Sequence, residues 1–319
     1  MRLTVLHDRT FEFTPAMLLR IEEAASGYEL TYCAANAANV AQVADAEIIF
    51  GCPPAALLKH APFLEWHHLP NSGIEPYTNP ALYASPKVTL TNSRGVYGAV
   101  IAEHVLALVF ALARCLPLYE RRRRERDWRR DDFGSTWVEG SVVSVFGLGD
   151  LGLNVARKLS AVGAKILGVR RSLLEKPPFV DELYDLRLAS EVAARSDFVV
   201  CCLPPTPRTV GLFSRELLGA MKPSAYFINV SRGVLADTDA LTEALSNGRI
   251  AGAALDVTDP EPLPDGHPLW TLDNVILTPH ASCVCDDIQD RKLELFLQIL
   301  ERHKAKRPLP NQVNFMLGY

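Results

Sequence analysis

Arg232, Glu261 and His280 each follow a short apolar run late in the chain, and together they could serve one reaction. Arg232 lies in Asn229-Val230-Ser231-Arg232-Gly233, after AYFI. Glu261 lies in Asp256-Val257-Thr258-Asp259-Pro260-Glu261-Pro262, after AGAAL. His280 lies in Thr278-Pro279-His280-Ala281-Ser282, after NVIL. A guanidinium grips a carboxylate and the neighbouring carbonyl oxygen in a fixed fork. An imidazole gives up and takes back a proton near neutrality. A carboxylate beside it orients the ring and favours its protonated form. This set suits reduction of a 2-keto acid, where the acid is held, the carbonyl polarised and a proton delivered as hydride arrives. Singly, each residue has a plainer reading: a surface ion pair, a solvent-facing glutamate, a satisfied loop histidine. Their occurrence together, downstream of a dinucleotide fingerprint, favours the reaction.

That fingerprint is Gly147-Leu148-Gly149-Asp150-Leu151-Gly152. It follows the apolar run SVVSVF and opens a helical pattern through Val155, Ala156 and Leu159. The glycines permit a tight turn, close approach of backbone to a pyrophosphate, and contact of helix with strand. The N–H groups at the helix start favour the phosphates. A carboxylate at Asp150 would repel them, so Asp150 is expected to cap the helix and point away. The end of the next strand selects the cofactor. An NAD site places Asp or Glu there for the ribose 2′-OH. Here KILGV runs into Arg170-Arg171-Ser172, 18 residues past Gly152, with no carboxylate. Two guanidiniums and a hydroxyl suit a 2′-phosphate, so NADP(H) is the expected cofactor. NAD(H), beside two solvated arginines, is the alternative.

A pair of α/β sheets must position these residues. Strand candidates at 2–7, 29–33, 47–50, 64–69 and 88–91 alternate with helical patterns. A second series follows at 141–146, 165–169, 197–202, 225–229, 251–255 and 274–278. Such alternation predicts parallel sheets covered by helices on both faces. The expected architecture is two doubly wound domains, Rossmann- or flavodoxin-like, with a cleft between them. Ligands in such sheets bind outside the carboxyl ends of the strands, where the glycine loop and the three polar residues fall. A helical pattern over 96–126 repeats apolar positions at spacings of three and four through Val100, Ile101, His104, Val105, Leu108 and Leu112. Pro117 is expected to kink or split it. The last helix, about 284–304, is expected to return to the first sheet, since the second already has six strands. A substrate domain is thus expected at 1–94 plus 285–319, and a dinucleotide domain at 95–284.

Length and composition fit this picture. The 319 residues suit two domains, and the 48% hydrophobic and 22% charged content is that of an ordinary globular chain. A net charge of −4 gives no general pull toward nucleic acid or anionic membrane, and neither is an expected partner. No apolar run approaches the ~18 residues of a membrane span, and no secretory leader is expected. The seven cysteines match no zinc or redox spacing. They are expected to be buried, reduced thiols of a cytoplasmic protein, with no metal. The run RRRRERDWRR at 121–130 holds seven arginines. A solvated helix end, its cations set against the helix dipole, is the expectation; a subunit interface or a nucleic-acid patch are the alternatives.

The stretches VFGLGDLG, CCLPPTPRTVGLF, INVSRGVLADTDAL, ALDVTDPEPLPDGHPLW and NVILTPHAS resemble the D-isomer-specific 2-hydroxyacid dehydrogenase family. With TNSRGVYGAVIAEHVLALVFALAR, the resemblance covers roughly residues 90–285. The spacings, 29 residues from Arg232 to Glu261 and 19 from there to His280, are similar to the family's layout. The resemblance implies arginine for the substrate, Glu–His for proton transfer, a discontinuous substrate domain and usually a homodimer. It also implies that Leu203, Pro204, Thr209, Val230 and Asp256 line the cofactor, with Asp256 near the carboxamide. RGVYG and IAEHVLAL resemble the branch that reduces glyoxylate and hydroxypyruvate, which often carries arginine in place of the acidic residue.

The first domain departs more from the family. Where a glycine-rich substrate loop is usual, the chain reads Pro70-Asn71-Ser72-Gly73-Ile74-Glu75. Backbone N–H groups of Ser72, Gly73 and Ile74 can still hold a substrate carboxylate, while Glu75 disfavours a second anionic group. The expectation is NADPH-dependent reduction of a small 2-keto acid to the D-2-hydroxy acid. Two alternatives remain open: a nucleotide-sensing scaffold of the same fold, and an NAD-dependent enzyme like phosphoglycerate dehydrogenase.

Overall fold

The computed structural model describes residues 1–8, 11–129, 134–171 and 175–317. The chain divides into two compact units, Met1–Tyr97 with Cys285–Tyr319, and Gly98–Val284.

The first unit runs β1 (Arg2–His7), α1 (Pro15–Ala24), β2 (Glu29–Ala34), α2 (Val40–Val43), β3 (Ile48–Phe50), β4 (Trp66–Leu69) and β5 (Thr89–Asn92). Its strands pair in parallel in the order β2-β1-β3-β4-β5. Interior residues of β1 are buried whichever face they point to, as a sheet covered on both sides requires. The C-terminal helix, Ile288–Lys304, belongs to this unit. It buries Leu293, Phe296, Ile299 and Leu300 with Leu3, Val5 and Trp66, and Phe296 stacks on Phe50 at 3.9 Å. The unit closes at Tyr97, slightly beyond the expected boundary at 94. The Tyr97 hydroxyl donates to the Pro70 carbonyl at 2.6 Å, tying that residue to the first sheet.

The second unit opens with α3 (Gly98–Ala113) and α4 (Leu116–Arg124). There follow β6 (Val142–Phe146), α5 (Asp150–Ala161), β7 (Lys165–Val169), β8 (Glu182–Tyr184), α6 (Ala189–Arg195) and β9 (Phe198–Cys201). The unit ends with α7 (Arg215–Ala220), β10 (Tyr226–Asn229), α8 (Thr238–Ser246), β11 (Gly252–Leu255) and β12 (Val275–Leu277). The order is β12-β11-β10-β9-β6-β7-β8, again parallel. The chain reverses direction across the sheet between β6 and β9, which makes their carboxyl ends a topological switch point.

Several expectations are corrected. The second sheet has seven strands, not six. The additional one, β8, is three residues at the sheet edge with no apolar run to announce it. The long helix breaks at Cys115, whose φ of +53° is left-handed, and α3 and α4 diverge by 68°. Pro117 is not the break: it sits in the first turn of α4, where a missing N–H leaves no bond unmade. The arginine run is not uniformly solvated. Arg122 is buried and donates to the Arg129 carbonyl at 3.0 Å, while Arg123 and Arg124 pair with Glu120. Arg130 lies outside the described residues. All seven cysteines are free thiols, but of these Cys201 alone is buried. Cys33, for example, lies on the edge strand β2. No single helix among the described residues is long and apolar enough to cross a membrane.

Strand β4 carries two fully buried histidines. His67 Nε2 lies 2.9 Å from the Gly51 carbonyl, so it is the protonated nitrogen, and Nδ1 accepts from Tyr83 at 3.0 Å. On the other face, the Ser93 hydroxyl gives its proton to the Leu69 carbonyl, so His68 Nε2 donates to it at 3.3 Å and Nδ1 accepts from Thr91 at 2.8 Å, while Thr91 accepts from the Trp66 indole at 2.8 Å. Burial pushes the His67 pKa down to about 4, against the Gly51 carbonyl bond, and that of His68 down to about 3, helped by His67. Below an ordinary histidine pKa of about 6.5, the unfolded chain takes up protons that the folded chain refuses. This contribution to stability is therefore intact above about pH 6.5 and lost as the pH falls toward 4 and then 3. We expect the urea midpoint to drop between pH 7 and pH 5, with a loss on the order of 2 kcal/mol per ring. A double variant, His67→Gln with His68→Gln, should show a shallower pH slope; an unchanged slope would refute this assignment.

Candidate active site

Seven parallel strands place seven carboxyl ends on one edge of the second sheet, and the turns that matter lie side by side there. At the switch point, Gly147 follows β6 with φ +97°. A β-carbon on it would fall 2.6 Å from the Cys202 carbonyl oxygen, beyond the end of β9. One on Gly152 would fall 1.7 Å from the Gly147 carbonyl oxygen. These glycines let α5 start directly against the strand. Among the described residues, the direction of a β-carbon at Gly149 meets nothing within 4 Å, and no side chain caps α5. Leu148 turns inward against Gly168, and Leu151 is half-buried. Open space beside uncapped N–H groups of a 12-residue helix suits a dinucleotide pyrophosphate.

Asp150 does not cap this helix, contrary to expectation. The N-cap is Gly149, and the Asp150 carboxylate lies against Gly98, at the start of α3, with Asn154 Nδ2 at 3.4 Å. The start of α3 gives that anion a favourable dipole end of its own.

At the end of β7, the Arg170 N–H donates to the Tyr184 carbonyl at 3.0 Å and its side chain is half-exposed. Arg171 is exposed. Ser172 lies outside the described residues. No carboxylate follows β7 there. On neighbouring β8, the acid Glu182 is taken by Arg195 Nη2 at 2.6 Å and by the Tyr184 hydroxyl. Arg195 first, and Tyr184 second, hold its carboxyl below the usual range.

The turn after β9 contains Leu203, Pro204 and Thr209. The Thr209 hydroxyl donates to the Pro204 carbonyl at 2.6 Å and accepts from the Thr206 N–H at 2.8 Å, which rounds off this loop. The Ser231 hydroxyl donates to the Leu203 carbonyl, joining it to the turn after β10. There, buried Asn229 accepts from the Ser231 N–H at 3.1 Å and donates to the Arg232 carbonyl at 3.0 Å. Val230 is buried. The half-buried Arg232 side chain donates from Nη1 to the Ser231 carbonyl at 2.8 Å.

Gly233 brings this turn against the next one. A β-carbon there would fall 2.0 Å from the Thr258 carbonyl oxygen and 2.6 Å from the Asp259 nitrogen. Thr238, at the start of α8, donates to the Asp259 carbonyl at 2.8 Å. The loop from Asp256 to Pro262 is thus held against the Arg232 turn at the level of its backbone.

From that loop Glu261 reaches His280, with Oε1 2.7 Å from Nδ1. Both side chains are 43% exposed. His280 has φ +52°, a conformation that costs a residue with a β-carbon on the order of 1–3 kcal/mol. Its N–H donates to the Asp256 carbonyl at 2.8 Å. The Asp256 side chain is 2% exposed. Its Oδ1 accepts from the Thr278 hydroxyl at 2.6 Å and the Ala281 N–H at 2.9 Å, and its Oδ2 from the Ser282 N–H at 3.1 Å. This carboxylate pins the turn carrying His280, a role the sequence reading did not give it. His104 of α3, read from the sequence as part of an apolar face, lies with Nε2 3.2 Å from the Thr278 hydroxyl.

Ser72, Gly73 and Ile74 belong to the first unit and follow β4. Asn92 donates to the Ser72 carbonyl at 2.8 Å, Ser72 is exposed, and Ile74 is buried.

Residues 106–282 match the family described as D-isomer specific 2-hydroxyacid dehydrogenase, NAD binding domain. A glyoxylate reductase of Korarchaeum cryptofilum is 34% identical over 239 residues, which is 71% of this chain and 69% of that one. The D-3-phosphoglycerate dehydrogenase of Mycobacterium tuberculosis is 37% identical over 196 residues, 60% of this chain; the match spans 36% of that relative's length. A crystal structure of a D-isomer specific 2-hydroxyacid dehydrogenase from Xanthobacter autotrophicus, in complex with NADPH and MES, aligns with a TM-score of 0.84. It is 29% identical, with 99% of both chains covered.

Two glycine substitutions should separate the two halves of this edge. Gly152→Ala forces a backbone clash inside the βα turn and should weaken dinucleotide binding about tenfold or more. Gly233→Ala displaces the Glu261 loop and should lower turnover up to about a hundredfold while dinucleotide binding is kept. Fluorescence titration with NADPH, alongside turnover, reads both. Loss of binding in the second variant with full binding in the first would overturn this division.

Proposed function

The chain belongs to the D-isomer specific 2-hydroxyacid dehydrogenase family, and within it we propose that the protein reduces a small 2-keto acid, such as glyoxylate or hydroxypyruvate, to the D-2-hydroxy acid with NADPH. The observation that carries this reading is the 2.7 Å contact of Glu261 with His280 Nδ1, at the same sheet edge as an open glycine turn. Glu261 accepts only, so Nδ1 bears a proton and Nε2 is left for the substrate. Arg232, on the adjoining turn, holds the substrate carboxylate and polarises its keto oxygen. His280 gives its Nε2 proton to that oxygen as the carbon gains hydride, and remains neutral with Nδ1–H on Glu261. NADPH, when bound on the glycine turn, supplies the hydride. Arg170 and Arg171 would take its 2′-phosphate, with Ser172 beside them in sequence. Leu203, Pro204, Thr209 and Val230 would line its nicotinamide half. Asp256 would act there through the turn it pins. Ser72, Gly73 and Ile74 would offer backbone N–H groups to the substrate acid. The unit Gly98–Val284, expected from the sequence at 95–284, would form the dinucleotide domain, and Met1–Tyr97 with Cys285–Tyr319, expected at 1–94 plus 285–319, the substrate domain. The protein is read as a cytoplasmic homodimer.

A second reading, an NAD-dependent phosphoglycerate dehydrogenase, has the 37% identical mycobacterial relative in its favour. It requires a phosphorylated keto acid, which Glu75 disfavours, and NAD, which the Arg170-Arg171 pair disfavours.

The test is oxidation of NADPH and NADH with glyoxylate, hydroxypyruvate, larger 2-keto acids and a phosphorylated one. We expect small unphosphorylated acids to react, with kcat/KM favouring NADPH roughly ten- to a hundredfold. His280→Ala should lower kcat by about 10²–10⁴, and Arg170→Asp should move preference toward NADH. Nucleotide binding without turnover of any keto acid would point instead to a nucleotide-sensing scaffold.

A further inference from the structure

We infer that His104 and Thr278 form a positioning relay that fixes the turn bearing His280; this rests on the reading of His280 as the proton donor. Proton accounting gives the relay its direction. The Asp256 carboxylate only accepts, so the Thr278 hydroxyl spends its one proton on Oδ1 at 2.6 Å. What Thr278 offers His104 is therefore a lone pair, and the ring donates to it from Nε2 at 3.2 Å. The line His104–Thr278–Asp256 then continues into the N–H groups of Ala281 and Ser282, immediately after His280.

The anchor of this line is a rigid one. Helix α3 buries Val105, Leu108 and Val109 in the same core as Ile228 of β10 and Ala254 of β11, with Ile276 of β12 packed against it. His104 therefore projects from a helix fixed beneath the strand ends that carry the chemistry. Its bond reaches the first residue of the catalytic turn, Thr278, directly after β12. His280 is held at φ +52°, a conformation that its surroundings must impose. Asp256 imposes it from one side. His104 sets the orientation of the Thr278 hydroxyl that completes the Asp256 shell. His104 is a positioning residue: it acts on His280 through Thr278 and Asp256 and makes no step of the reaction itself.

The experiment compares three variants with the wild type. His104→Leu keeps the bulk and removes the donor. His104→Gln restores a donor at similar reach. Thr278→Val removes the relay from the other end, should the first variant fail to fold. We expect His104→Leu and Thr278→Val each to lower kcat between about tenfold and a hundredfold. KM for keto acid and NADPH should change less than about threefold. His104→Gln should recover most of kcat, and the Leu and Val changes combined should do little more than either alone. Unchanged kcat in His104→Leu, or a Gln variant as slow as the Leu variant, would overturn the relay. A wild type that reduces no keto acid defeats the proposed function instead. The relay is then decided by the NMR signal of the isotope-labelled His280 ring. Displacement in His104→Leu and Thr278→Val, reversed in His104→Gln, supports it, and a signal that moves in none of them refutes it.

Discussion

The buried carboxylate of Asp256 determines where His280 can be. At 2% exposure it would be costly without partners, and it has three donors: the Thr278 hydroxyl and the N–H groups of Ala281 and Ser282. Its own carbonyl takes the His280 N–H. These bonds bracket a residue in left-handed conformation, so the backbone of the turn has little freedom left. The register of β11 with β12, Leu255 beside Leu277, is what brings the two chain segments together. Removing one donor from such a shell leaves a buried acceptor short of a partner, at a cost on the order of 1–3 kcal/mol.

The two halves of the sheet edge are built by different means. On the β6 side the work falls to backbone: space at Gly149, contact at Gly152, and a helix end without a side-chain cap. On the β10–β12 side it falls to side chains whose backbones are locked together. Gly233 admits the Thr258 carbonyl where a β-carbon could not stand, and Thr238 holds Asp259. A glycine thus serves opposite ends at the two places. At 149 it leaves room for something to enter, and at 233 it lets two loops exclude everything else.

This difference explains what could be read from the sequence. Apolar runs such as VVSVF and YFIN are buried on both faces of parallel sheets, so they stand out as strands. The half-exposed edge strand Glu182–Tyr184 carries no such run. Glycine spacing after β6 was visible because each glycine answers a local steric need. The acid beside the imidazole could be anticipated from chemistry, since Glu261 and His280 both follow strand ends. The partners of Asp256 could not, because they lie 22 to 26 residues away and are joined only by strand pairing. Cys115 shows the same limit in reverse. A left-handed residue that is not glycine leaves no mark on the sequence, whereas Pro117 does, at a position where proline is harmless. His67 and His68 read as part of an ordinary strand, and only the closed bonds around them reveal why neutral rings can be buried there.

A group that must exchange a proton with an incoming molecule has to be reachable, and a reachable side chain is poorly fixed by packing. His280, 43% exposed and proposed above as such a group, meets this conflict directly. Glu261 cannot resolve it alone, because it is equally exposed and a surface pair holds its geometry weakly. The orientation must then come from the backbone behind the ring, through bonds strengthened by burial. That requires a polar acceptor inside the protein at the root of an exposed imidazole, with enough donors around it to offset its desolvation. The Asp256 shell meets that requirement, and its donors are drawn from the very turn it restrains. The exposure of His280 and the burial of Asp256 are therefore two sides of one constraint: the less the ring is packed, the more firmly its turn must be tied.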